Sequence, residues 1–194
     1  MPHLAELKRQ YPRLQLELTQ SDSYIDPYKQ GVDLVFRIGS LADSSLHARI
    51  LGKVTFGLFA SPEYLDRVGK PRSLDELAGH DSVVFKEHLG VETWFAKQGD
   101  ECRQVRAPIG FAVNDGDSLL SATISGMGVA MLINWLSDRA VNDGKLAPIL
   151  TDYEWLARAE PIEIAMIYPH AQTPPRNVRA VMDFFIDKYQ GFFE

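Results

Sequence analysis

Apolar and polar positions alternate along this chain with two periods, and both occur close together between Val113 and Leu136. Asn114-Asp115-Gly116-Asp117 has turn chemistry, since Asn and Asp tolerate left-handed backbone and Gly accepts it freely. Asp117 is placed to cap a helix that carries Leu119, Leu120, Ile124 and Met127 at helical spacing. Gly126 and Gly128 stop that helix. Val129 to Ile133 is then a continuous apolar run, expected for a strand covered on both faces. Turn, helix and buried strand predict an α/β unit with the helix N-terminus at the carboxyl edge of a sheet. Open α/β sheets bind ligands at that edge, and free backbone N–H groups there attract anions. On spacing alone the plainer alternative, a well-capped core helix, is the stronger of the two.

The rest of the chain reads the same way. Leu4, Leu7 and Tyr11 form a helical stripe over Pro2–Tyr11, ended by Pro12. Leu14, Leu16 and Leu18 alternate with polar residues and predict a strand over Leu14–Thr19. A short helix over Tyr24–Gln30 and a strand over Asp33–Ile38 complete a parallel strand–helix–strand unit. Leu46–Leu51 and Thr55–Ala60 are extended. Ser61-Pro62 opens a helix ending at Val68, and Ser73-Leu74-Asp75-Glu76 is a capping box. Asp81–Phe85 is a strand, Lys86–Gly90 a loop, and Trp94-Phe95 and Val105–Val113 are strands around a turn at Gly99–Glu101. Ser137–Val141 is a short helix and Leu146–Leu150 is extended. Ile162–Tyr168 is a strong strand. Arg176–Tyr189 is a helix with Val178, Val181, Met182, Phe185, Ile186 and Tyr189 on one face.

Composition narrows the class. The chain has 194 residues, 45% hydrophobic and 24% charged, enough for one domain or two small lobes with an unaided core. A net charge of −6 lacks the electrostatic footprint of a stand-alone nucleic-acid binder. Cys102 is the single cysteine, which excludes an internal disulfide and fits a reducing cytoplasm. The first residues have no apolar core of a signal peptide, and no apolar run reaches the ~20 residues of a membrane span.

Catalytic patterns are missing. There is no G-x-S-x-G elbow, P-loop or H-E-x-x-H, and Gly126-Met127-Gly128 lacks the third glycine of a dinucleotide fingerprint. The five histidines have no metal spacing, and the close pair His80 and His88 reads as surface loop. Cys102 has no base and orienter nearby and reads as a partly exposed free thiol. Asp115 and Asp117 read as turn and cap residues. No catalytic residue, metal ligand or cofactor is expected.

Several pieces in order have a counterpart in a known family. They are Gly31-Val32-Asp33-Leu34-Val35-Phe36-Arg37-Ile38-Gly39, Ala60-Ser61-Pro62-x-Tyr64-Leu65, the run from Val113 to Leu132 with Gly126-x-Gly128, and the proline-rich loop before the last helix. Together they resemble the effector-binding (substrate-binding) domain of LysR-type transcriptional regulators, over nearly the whole chain. The resemblance implies a type 2 periplasmic-binding-protein-like fold, with two α/β lobes around a cleft. Residues 1–60 with 165–194 would form lobe one, and residues 61–164 lobe two. The family's N-terminal winged helix-turn-helix, its linker helix and the domain's first strand have no counterpart in this chain. Asn134 stands where the family usually has proline.

The resemblance also implies a site, made by loops at the carboxyl ends of strands. In lobe one it takes Ser21, Asp22, Arg37 and Gly39. In lobe two it takes Phe85, Lys86, Asn114, Asp117 and Ser118. Arg37 has a separate physical case: a cation at the end of an apolar strand must lie at the rim or be paired, and its fork suits a carboxylate. Pairing with a protein acid such as Asp22 satisfies the same requirement equally well. The expected function is ligand sensing and self-association, as a homodimer or higher homo-oligomer, in a cytoplasmic regulator. Its effector would be a small carboxylate or aromatic molecule, and DNA would be touched only through the missing N-terminal domain. The alternative is a stand-alone solute-binding protein of similar fold. If a central strand is missing, the helix Pro2–Tyr11 and the strand Leu14–Thr19 are expected at a dimer interface.

Overall fold

The computed structural model describes residues 3–21, 27–39, 47–87, 90–158, 162–169 and 173–189. In chain order the elements are α1 (Leu4–Gln10), α2 (Pro27–Gln30), β1 (Val35–Gly39), β2 (His47–Lys53), β3 (Phe56–Ala60), α3 (Pro62–Val68), β4 (Ser82–Glu87), β5 (Gly90–Val91), β6 (Trp94–Gln98), β7 (Glu101–Val105), β8 (Ile109–Val113), α4 (Gly116–Ile124), β9 (Ala130–Ile133), α5 (Asn134–Asn142), β10 (Ala147–Ile149), β11 (Glu154–Leu156), β12 (Glu163–Tyr168) and α6 (Arg176–Tyr189). A 3-10 turn, Asp75–Gly79, precedes β4.

Two compact units result: Met1–Lys53 with Ile162–Glu194, and Val54–Pro161. The first passage between them falls before β3, not near Ala60. The reason is that β3 is built into the second unit, with β9, β10 and β11 all paired to it. The return falls at Ile162, within the expected crossing near Ile162 to Ile164.

In the first unit β12 lies between β1 and β2, antiparallel to both. Its centre, Ala165-Met166-Ile167, is buried, as a continuous apolar run requires. The register to β2 shifts between Ile164 and Ala165, which pair with Gly52 and Ile50. Helix α6 packs Val178, Met182, Phe184 and Phe185 against Met166 and against Leu7 of α1. Leu7 and Met166 are both fully buried. Lys188 and Glu6 form an ion pair at 2.6 Å, and the rings of His3 and Tyr189 meet edge-on. The last helix thus packs beside the first, as its apolar face leads one to expect.

The expected strand over residues 14–19 does not form. Leu14 packs into the core, whereas Leu16 and Leu18 are 45% and 63% exposed. Alternation gives a segment two faces, but a strand exists only where a neighbour completes its hydrogen-bond ladder. The expected parallel strand–helix–strand unit is therefore absent among the described residues of this unit, whose ladders are antiparallel.

In the second unit a six-stranded sheet runs β10-β3-β11-β6-β7, with β9 also paired to β3. A smaller sheet, β5-β4-β8, contains the parallel pair β4 and β8. One core joins Leu58, Trp94, Met131, Ile149 and Trp155, and another joins Phe59, Val83, Leu119, Ala130 and Leu132 under α4. Local chemistry sets the helix starts. Ser61 caps α3 by accepting from the Tyr64 N–H at 3.2 Å, and Pro62 occupies the first turn. Asn134 is the first residue of α5: its backbone N–H donates to the Thr55 carbonyl and its side-chain amide to the Thr55 hydroxyl, both at 3.0 Å. Proline at this position would lack the backbone donor.

Candidate ligand-binding site

The corner of the second unit follows from register. Strands β4 and β8 run parallel with Val83 beside Phe111, Val84 beside Ala112 and Phe85 beside Val113. Their pairing ends at Phe85 and Val113, so Lys86 and Asn114 are the next residues of the two chains. Lys86 is not in a loop as expected, because β4 continues to Glu87 and Lys86 pairs with Val91 of β5. Helix α4 begins at Gly116, three residues after Val113, so its N-terminus faces the same corner. Lys86, Asn114, Asp117 and Ser118 are exposed there. Phe85 is half-buried against the core under α4, which makes its ring part of the wall of that core.

The cap of α4 is Asp115, not Asp117. Asp115 has extended backbone, its carboxylate accepts from the Ser118 N–H at 2.9 Å, and its carbonyl accepts from the Leu119 N–H. Hydrogen bonds from Ser118, side chain first and backbone next, hold the Asp115 carboxyl below its ordinary range. Asp117 sits on the exposed first turn, where a negative charge suits the helix dipole. The helix end thus already carries one ionised capping group of its own. Lys86 is the cation of this corner, and the Ser118 hydroxyl and Asn114 amide are its neutral hydrogen-bonding groups.

In the first unit Arg37 lies on β1 opposite Ala165 of β12 and is half-buried. Its neighbour Phe36 packs edge-on against Phe185 at 5.0 Å. Side chains alternate across a strand, so Arg37 faces the other side of the sheet from α6. Glu163 is diagonal to it on that side, two residues from Ala165. Gly39 ends the strand at φ 141°, a backbone that side-chain-bearing residues rarely adopt. Ser21 is exposed at the end of the extended segment after Pro12. Asp22 lies outside the described residues, as does His88. The structure thus groups Phe85, Lys86, Asn114, Asp117 and Ser118 in one unit, and Arg37 and Gly39 on one strand of the other.

His80 contradicts the surface reading. It is 6% exposed, its ring lies 5.8 Å from that of Tyr64, and its Nδ1 has no hydrogen-bond partner among the described residues. Burial pushes its pKa down, against a smaller opposite pull from Glu76 and Asp81. No group of three His, Cys, Asp or Glu side chains suited to a metal occurs among the described residues. Cys102 is exposed on β7. No helix among the described residues is long and apolar enough to cross a membrane.

Two α/β units with a sheet-edge corner of this kind define a class of ligand-binding domain. The family model for the LysR substrate binding domain matches residues 1–190. The transcriptional regulator CrgA of Neisseria meningitidis serogroup C is 32% identical over 187 residues, 96% of this chain and 61% of that protein. The regulator YhjC of Escherichia coli is 33% identical over 190 residues, again 61% of its length. Among solved structures, the CrgA regulatory domain superposes with a TM-score of 0.85 at 31% identity, covering 97% of this chain and 90% of that one. Full-length AphB of Vibrio cholerae gives 0.80 at 28% identity, covering 97% of this chain and 62% of that one. The chain belongs to the LysR-type transcriptional regulators, as their substrate-binding domain with its periplasmic-binding-protein-like fold. It spans 61% of the length of each of these two curated relatives, which are described as transcriptional regulators.

Proposed function

We propose that this domain senses a small carboxylate or aromatic effector for a cytoplasmic transcriptional regulator and self-associates. The observation that carries the reading is the corner where β4, β8 and the start of α4 bring Lys86, Asn114 and Ser118 together. Sheet edges of this kind are where open α/β folds take ligands. Lys86 is assigned to the effector's carboxylate and Phe85 to its apolar part. In the first unit Arg37 is assigned as a forked carboxylate-binding group, with Ser21, Asp22 and Gly39 grouped with it. DNA contact is assigned to a helix-turn-helix part of the regulator beyond this chain, in keeping with the helix-turn-helix descriptions of CrgA and YhjC.

Calorimetric titration with a panel of small mono- and dicarboxylates, benzoate included, tests the site. Arg37→Ala and Lys86→Ala are each expected to weaken the best ligand by about tenfold or more, the loss of one charge-assisted hydrogen bond. Unchanged affinity in both variants rejects the assignment. The exposed Leu16 and Leu18 beside α1 support self-association through that edge. Light scattering should give a dimer, reduced to a monomer by Leu18→Glu. A monomeric parent chain removes this part of the reading.

A further inference from the structure

The second unit holds an open-mouthed cavity of about 250 Å³ lined by none of Phe85, Lys86, Asn114, Asp117 and Ser118. Its inner wall is Val84, Trp94 and Val105, each less than a tenth exposed, with Ala107 beside them. An apolar cavity of about 150 Å³ already holds benzene. The lips are apolar as well: Val91 and Ile109 line the cavity and are 42% and 55% exposed. Charge of both signs enters at the rim: Glu92 lines the cavity too, and it is already engaged in an interaction of its own. Arg106 lines the cavity between Val105 and Ala107 and has no hydrogen-bond or ion-pair partner among the described residues. Ser82 lies at the buried end, and its hydroxyl donates to the Pro108 carbonyl at 2.8 Å, which leaves the oxygen as an acceptor.

We propose that this cavity is a second ligand site, for a small monocarboxylate with an aromatic or cyclic aliphatic body. The body fits against Trp94, Val84 and Val105. The carboxylate meets the Arg106 guanidinium at the mouth, where the fork of an arginine and the two oxygens of a carboxylate match. Two features make the class specific. A dianion would bring a second charge against the apolar wall, at a large desolvation cost. A neutral analogue of the same shape would forgo the Arg106 contact. Lys86, Asn114, Ser118 and Arg37 do not line it, although Val84 and Val91 border Lys86 along β4 and β5.

The test is titration of the chain with benzoate, and with benzyl alcohol as its uncharged counterpart, read at the indole N–H resonance of Trp94. That resonance is assigned by its loss in Trp94→Phe. Benzoate should shift it saturably, more tightly than benzyl alcohol. Arg106→Gln should weaken benzoate by about tenfold and leave benzyl alcohol unchanged. Ala107→Phe fills the cavity and should abolish both shifts. If that variant does not fold, Ile109→Glu, which places an anion on an exposed lip, should weaken benzoate alone. Arg37→Ala, on β1 of the first unit, should leave the Trp94 midpoint unmoved, so failure of the site proposed above and failure of this one are read separately. The proposal is overturned if the resonance shows no saturable shift up to about 10 mM benzoate, a concentration that detects even weak sites. It is equally overturned if Arg106→Gln and Ile109→Glu both leave the benzoate midpoint where it was.

Discussion

A Cβ added to Gly128 would lie 2.3 Å from the carbonyl oxygen of Asp81. That carbonyl accepts from the Val129 N–H at 2.9 Å, and the Val129 carbonyl accepts from Val83. The close approach locks the start of β9 to the start of β4, and through it places the parallel pair that bears the candidate corner. Gly128→Ala forces backbone apart and is expected to cost about 1–3 kcal/mol, the range of overpacked cores. Urea unfolding measures it. Gly79→Ala, where the added carbon meets nothing within 4 Å, is the control and should change little.

Asp115 caps α4 as an ionised group, so its contribution has a defined pH range. Its carboxyl titrates below the ordinary 3.8 in the folded chain. A depressed carboxyl stabilises fully above its unfolded value and loses that stabilisation as pH falls through its folded value. Asp115→Ala should lower the melting temperature at neutral pH, and Asp115→Asn, a cap without the charge, should restore most of it. In both variants the stability difference from the parent should shrink below pH 4. Circular dichroism melts across that range decide the matter.

His80 titrates at a higher pH. Because burial depresses its pKa below 6.5, the unfolded chain takes up a proton before the folded one does. The stability that neutral His80 gives is therefore present above pH 6.5. It is lost progressively as pH falls through its folded value. His80→Asn should flatten the stability profile just below pH 6.5, at the cost of some stability at pH 8. A parent profile already flat between pH 6.5 and 5 contradicts this.

Leu7 is fully buried between α1 and α6 and is the single buried residue of its helix. Leu7→Ala should cost about 2–5 kcal/mol. Hydrogen exchange should then quicken in β1, β12 and α6, whose side chains share that core, and leave the amides of β3 and β9 at parental rates.

Where structure is local, the sequence reveals it. Ser61-Pro62, the Arg176–Tyr189 stripe and the Val129–Ile133 run each carry their own signal, and each appears in place. Errors arise where the answer depends on a distant partner. Leu14–Leu18 alternates well but no described strand lies alongside it. Glu154–Leu156 is too short to register by pattern, yet Trp155 joins Phe56 of β3 to Ala96 of β6. The cap of α4 was legible in principle, since Asp115 precedes Ser118 by the three residues a capping bond spans. Gly116, a poor helix former, pushes the apparent start two residues late. His80 gives no sequence sign of its burial, which comes from the approach of Tyr64, itself capped in place by Ser61. Of the site, the grouping of Phe85, Lys86, Asn114 and Ser118 followed from family resemblance and not from spacing.

The strand order also dictates a sequence of events during synthesis. Strands β1 and β2 do not pair with one another; each pairs with β12, and β12 is made near the end of the chain. The second unit closes on itself, since its first strand and its last meet at Phe56 and Trp155. On a ribosome the middle of this chain can thus be folded while the segment up to Lys53, made earlier, still waits for the strand that joins it. The usual N-to-C order of domain folding is reversed. For that interval β1 and β2 are ladders without a rung, and a holding chaperone would find its target in those two strands. A nascent chain ending at residue 161 and held clear of the ribosomal exit tunnel by an appended unstructured linker should show protease resistance in 54–161 and cleavage throughout the first 53 residues; early protection of β1 would contradict this order.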